Sequence, residues 1–135
     1  MIFFDTSVLV HSIVNQDSGK QKLSDTLILK SFETDQLSIS PLVLSELYFV
    51  LSKLNLPFSL IADAALPYQS LKSVFPITIE MTNSALALCS VFDSAKNIND
   101  AIHLKYAEKH CDELITFDKD FKKFIPHTNL KITIL

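Results

Sequence analysis

Ile2-Phe3-Phe4-Asp5-Thr6-Ser7-Val8-Leu9-Val10 opens the chain with three apolar residues, one acid, two hydroxyls and a second apolar run. The triplet predicts a short buried strand ending at Asp5, and the stretch from Thr6 to about Asn15 predicts a helix. The same alternation recurs along the chain. Leu37-Ser38-Ile39 predicts a strand, and it is followed by a helix with Ser40 as N-cap and Pro41 at its first position. Pro76–Ile79, Glu113–Phe117 and Lys131–Ile134 also read as strands, and Lys119–Phe124 reads as a turn of helix. Further helices are predicted from Gly19 to about Thr34, from Phe58 to about Val74 with Pro67 ending or kinking it, from Met81 to Phe92 and from Asn99 to about His110. Short β segments alternating with helices indicate an α/β unit built on a mainly parallel sheet. No linker, repeat or low-complexity tract interrupts it, so residues 1–135 are expected to form one domain.

The composition narrows the class. Hydrophobic residues make up 48% and charged residues 20% of the chain, which argues for a packed core and against disorder. The N-terminal stretch lacks a basic region and is broken by Asp5, so it does not read as a signal peptide. No apolar run reaches the roughly 18–20 residues of a membrane span, so no membrane partner is expected. Cys89 and Cys111 show neither CxxC nor metal spacing and read as reduced thiols of a cytoplasmic protein. Net charge is −3, and all 12 basic residues are lysines. Any phosphate contact therefore uses point charges and backbone amides, without the guanidinium fork.

One carboxylate stands out. Glu46 is the only charged residue between Asp35 and Lys53, inside Pro41-Leu42-Val43-Leu44-Ser45-Glu46-Leu47-Tyr48-Phe49-Val50-Leu51. At helical spacing Leu42, Val43, Phe49 and Val50 flank it, and no base lies three or four residues away. A carboxylate in an apolar arc costs several kcal/mol unless something pairs with it or binds it.

Three aspartates sit where parallel sheets place their ligand crevice, beyond the carboxyl ends of the strands. Asp5 ends the first strand, Asp118 follows Leu114-Ile115-Thr116-Phe117, and Asp100 begins a helix. Singly, each reads equally well as a helix cap or a first-turn acid. Glu46 lies too deep in its helix for that. Four carboxylates converging on one crevice repel one another unless a cation neutralises them, and hard oxygen donors suit Mg²⁺, with Mn²⁺ as substitute. On this reading Glu46→Gln leaves the metal-free protein equally stable or more so. Asp120 is a rival to Asp118 and Asp93 a rival to Asp100, although Asp93 closes a helix, where the dipole disfavours it.

With FFDTSVLV, SPLVLSELYFVL and NDAIHLKYAEKHCDELITFDKDF in this order, the whole chain resembles the VapC-type toxins of the PIN-domain family. The resemblance implies a three-layer α/β/α domain with a central, mainly parallel sheet of four to five strands. It implies a metal-dependent ribonuclease whose acidic quartet falls on Asp5, Glu46, Asp100 and Asp118, yielding 5′-phosphate and 3′-hydroxyl ends. Asp5 and Asp100 are expected as direct or water-bridged ligands, Glu46 as a water-positioner or ligand, and Asp118 as completing the shell or a second metal. Thr6 or Ser7, and Thr116, take supporting roles. An RNA substrate, a cognate antitoxin and a homodimer are the implied partners. The loop before Asp100 lacks the glycine usual in that pattern, and Asn97 or Asn99 is expected to supply a positive-φ or capping conformation.

Lys119, Lys122 and Lys123 crowd beside Asp118 and are the candidates for RNA-backbone contact, with a solvated helical face as the plainer reading. Lys105 and Lys109 could extend that stripe. His103 reads as a packed or surface residue and stays outside the candidate site. The apolar helix from Phe58 to Leu71, with Tyr68 and Phe75, offers a homodimer surface or an antitoxin groove, although core packing explains much of it. The competing function is a non-catalytic PIN-like module that binds RNA or protein, which the missing arginines favour and the intact quartet opposes. A phosphorylatable receiver is disfavoured, because Leu37-Ser38-Ile39 runs into Ser40-Pro41 without an acceptor aspartate.

Overall fold

A computed structural model describes residues 1–135. Its elements in chain order are β1 (Ile2–Phe4), α1 (Thr6–Ile13), α2 (Ser18–Glu33), β2 (Leu37–Ser38), α3 (Pro41–Lys53), α4 (Phe58–Gln69), α5 (Ile79–Ser90), α6 (Ile98–His110), β3 (Glu113–Thr116), a 3-10 helix (Lys119–His127) and β4 (Lys131–Ile134). The strands form one sheet in the order β2-β1-β3-β4, and every pairing is parallel. Consecutive side chains of a strand point to opposite faces, and both Phe3 and Phe4 are fully buried, as is Leu114. Both faces of the sheet are therefore covered, giving an α/β/α sandwich. Phe3 meets His103 and Tyr106 of α6. No helix is long and apolar enough to cross a membrane.

The chain leaves β1 towards β2 on one side and returns with β3 on the other. The switch point thus falls between β1 and β3, where the loops after the two strands part and open a crevice. Phe4 pairs with Ile115, so Asp5 and Thr116 follow as neighbours across the sheet top.

Three expectations need correction. Pro76–Ile79 is not a strand, and the sheet has four strands, within the four to five expected. Phe75 N–H donates to the Tyr106 hydroxyl at 2.8 Å, and Thr78 then caps α5, its hydroxyl accepting from Met81 N–H at 3.2 Å. A tertiary anchor and a cap override the β-branched pattern. The helix expected to reach Val74 ends at Gln69, two residues past Pro67, whose ring removes a helical hydrogen bond. Left-handed backbone occurs at Asp35, Asn55 and Asp93, with φ of 58°, 60° and 50°, just beyond α2, α3 and α5. These close helices as glycine commonly does, in a chain with one glycine. Asn97, by contrast, has a φ of −105°.

Candidate active-site cleft

Asp5 is the N-cap of α1 and 5% exposed. Its Oδ2 accepts from the hydroxyls of Ser7 and Thr116, each at 2.7 Å, and weakly from Ser7 N–H at 3.4 Å. Those hydroxyls in turn accept from the loop after β3: Phe117 N–H donates to Ser7 at 3.1 Å and Asp118 N–H to Thr116 at 2.8 Å. Two short relays thus fasten the backbone carrying Asp118 to the carboxylate of Asp5. Asp118 also caps the 3-10 helix, its Oδ1 accepting from Asp120 N–H at 2.8 Å. The capping and convergence readings of these aspartates hold together.

Glu46 is not the unpaired charge its helix suggests. The buried stripe of α3 is Val43, Leu47 and Leu51, with Glu46 on its border and Phe49 turned outward, 63% exposed. Glu46 Oε2 accepts from Thr6 Oγ1 at 2.6 Å and from His103 Nε2 at 2.8 Å, while Oε1 accepts from Asn99 Nδ2 at 2.8 Å. A carboxylate can only accept, so the Nε2 of His103 carries the hydrogen. Burial pushes the Glu46 carboxyl up, but His103, Thr6 and Asn99 outweigh it and hold the pKa below its ordinary value. Glutamine there loses the charge these donors favour, and its N–H₂ finds an acceptor only if the Asn99 amide turns over or His103 moves its hydrogen to the unpartnered Nδ1. Glu46→Gln is accordingly expected to destabilise the metal-free protein by roughly 1–2 kcal/mol. Urea unfolding in EDTA measures it, and stability at or above wild type would refute the pairing. This reverses the outcome the sequence suggests.

Asp100, in the first turn of α6, accepts from Asn97 Nδ2 at 2.9 Å through Oδ2. Burial, joined by repulsion from Asp5 and Asp118 against the Asn97 hydrogen bond, raises its pKa to about 6. Asn97 stands at the N-cap of α6 without capping it, and its side chain holds Asp100 instead.

The four acids line one cleft of about 520 Å³, together with Thr6, Ser7 and Asn99. Asp5 and Glu46 of the cleft, with the fully buried His103 behind them, bring potential ligand atoms within 4.8 Å of one another. A larger depression of about 750 Å³, bordered by Glu108, Asp112 and His127, lies elsewhere. Glu108 is tied to Lys105 and Thr128, and Asp112 to the N-terminal ammonium. Volume therefore does not mark the chemistry here. The donor set fits a hard divalent cation: Asp5, Asp100 and Asp118 take protein hydrogen bonds on one oxygen each and keep a second oxygen without a protein partner, and Asp5 and Asp118 add to the burial that raises the Asp100 pKa.

Of the candidate lysines, none lines the cleft. Lys119 and Lys122 are exposed, whereas Lys123 bonds Asn97 Oδ1 and lies over the rings of Phe92 and Phe124. His103 and Asn99, left out of the sequence-derived site, prove to be the holders of Glu46. Their signal was spacing, since residues 99 and 103 are one turn apart on one helix face, flanking Asp100.

The PIN-domain profile matches residues 2–125. Among solved structures, VapC20 of Mycobacterium tuberculosis, a sarcin-ricin-loop-cleaving toxin, superposes with a TM-score of 0.74 at 21% identity, covering 91% of this chain and 94% of that one. VapBC2 of Rickettsia felis, solved bound to a DNA fragment from its promoter, gives 0.67 at 19% identity, covering 100% of this chain and 99% of that one. At such identities the likeness is one of fold. No curated protein matches the sequence. With the profile spanning nearly the whole chain, over the same strands and helices that gather the four acids, this protein belongs to the PIN-domain family.

Proposed function

We propose that this chain is a Mg²⁺- or Mn²⁺-dependent endoribonuclease and the toxin of a type II toxin–antitoxin pair. The observation that carries the reading is the convergence of Asp5, Glu46, Asp100 and Asp118 on one cleft at the β1/β3 switch point. Asp5, Asp100 and Asp118 would hold the cation, with Glu46 beside them. When bound, such a cation supplies an activated water and neutralises charge developing on the phosphate. The chain's own part is orientation: Ser7 and Thr116 fix Asp5, Asn97 fixes Asp100, and Thr6, His103 and Asn99 fix Glu46 to steer a water towards phosphorus.

Residues 1–135 act as one domain in the cytoplasm. The likeness to a VapBC assembly supports an antitoxin partner, and exposed Phe58, Leu60 and Leu66 of α4 support a homodimer. The test is cleavage of RNA by the purified protein, expected with Mg²⁺ or Mn²⁺ and lost on chelation with EDTA. Undiminished cleavage in EDTA would reject the metal-dependent reading.

A further inference from the structure

The acidic floor of the cleft offers no ring on which a nucleobase could stack, but its rim does. Phe49 lies one turn beyond Glu46 on the same side of α3, lines the cleft and is 63% exposed. One turn further, the ammonium of Lys53 lies 5.3 Å from the Phe49 ring centroid. A second ring-and-lysine arrangement stands on α1, where His11 also lines the cleft. The imidazole meets Phe117 edge-on, with centroids 4.8 Å apart, and Lys20 lies 5.1 Å from the Phe117 centroid. Burial, together with Lys20 and against Asp17, lowers the pKa of His11, so the wall keeps an uncharged ring.

An aromatic ring left in water at the mouth of a polyanionic cleft, with an ammonium over one of its faces, matches what an unpaired nucleic acid strand requires. Bases stack on rings, whatever their identity, while phosphates meet lysines. A duplex keeps its bases stacked on one another and cannot offer them to a ring. A protein partner would have to place an acid beside an apolar side chain to use both, whereas every nucleotide carries a base and a phosphate.

We propose that Phe49 is a base-stacking platform: a nucleotide flanking the scissile phosphate leaves its neighbours and stacks on the Phe49 ring, with its phosphate held by Lys53. The proposal rests on the RNA-cleaving reading of the cleft and names the residue that makes an unpaired strand its substrate.

The chain contains no tryptophan, so Phe49→Trp introduces a sole indole reporter. In the Asp5→Asn background, where turnover is slowed about a hundredfold or more, an unpaired oligoribonucleotide is expected to quench that emission. The same ribose-phosphate chain without bases, and a blunt RNA duplex, are expected to leave it unchanged. In the otherwise native chain, Phe49→Leu should raise KM for unpaired RNA about ten- to a hundredfold with kcat nearly unchanged, while Phe49→Trp keeps the native KM. An indole emission in Phe49→Trp that stays silent towards an RNA the native protein cleaves would overturn the platform, as would native KM in Phe49→Leu. Quenching by an RNA that the native protein leaves intact would uphold the platform and remove the nuclease reading instead.

Discussion

Asparagine in place of Asp5 is expected to lower metal-supported RNA cleavage by about 10²–10³-fold or more, the scale of losing one preorganised charge-handling group from an active site. The substitution is isosteric. An asparagine oxygen can still accept from the hydroxyls of Ser7 and Thr116, which donate to Asp5 Oδ2 at 2.7 Å. The amide then faces the cleft, where it is a poor donor to a hard cation. Because the relays to Phe117 and Asp118 survive, unfolding stability should stay within about 1 kcal/mol of the parent. Steady-state cleavage paired with urea unfolding separates the two effects. Near-parental cleavage in a folded variant would remove Asp5 from the machinery.

The second large effect concerns Asp100. Its pKa is raised from 3.8 to about 6, first by burial and then by Asp5 and Asp118. A raised carboxyl contributes stability that is full below the unfolded value and lost as pH rises through the folded one. In the metal-free protein the Asp100 contribution is therefore largest near pH 4 and gone by pH 7. Asp100→Asn should stabilise the metal-free protein at pH 7 by about 1–3 kcal/mol, discounted for the group's partial exposure, or a few degrees in Tm. The gain should vanish towards pH 4. Glu46 runs the other way, since its lowered pKa gives stability that fades as pH falls, so the informative quantity is the difference between parent and variant. With Mg²⁺ present the order should invert, because the parent gains binding energy that the variant forfeits. Thermal melts in EDTA and in Mg²⁺ across this pH range check both signs. A variant less stable than its parent in EDTA at pH 7 would contradict the repulsion.

Much of this is legible in the sequence alone. Ile2–Phe4 followed by Asp5 and hydroxyl residues marks a strand feeding a helix, and parallel-sheet geometry then puts Asp5 and Asp118 at the same end. Glu46 was recognisable as anomalous, but not for the right reason. Its partners Thr6, Asn99 and His103 come from helices 40 to 57 residues distant, beyond any spacing rule within one helix. The apparent strand at Pro76–Ile79 fails partly for the same reason, since Phe75 before it is anchored to the Tyr106 hydroxyl on α6 and Thr78 within it caps α5. Local pattern gives the elements and the strand-end acids; side-chain pairing between elements needs the packed structure.

The central position of β1 has a consequence for how the protein comes into being. The strand is made first, yet Ile2 pairs with Leu37 on one side and Glu113 on the other. At about 5–20 residues per second of synthesis, β1 waits on the order of ten seconds for β3 to emerge. Until then Asp5 has neither Thr116 nor Asp118 beside it. The nascent chain therefore carries its first acid without a cleft, and any chain released before β3 lacks the site altogether.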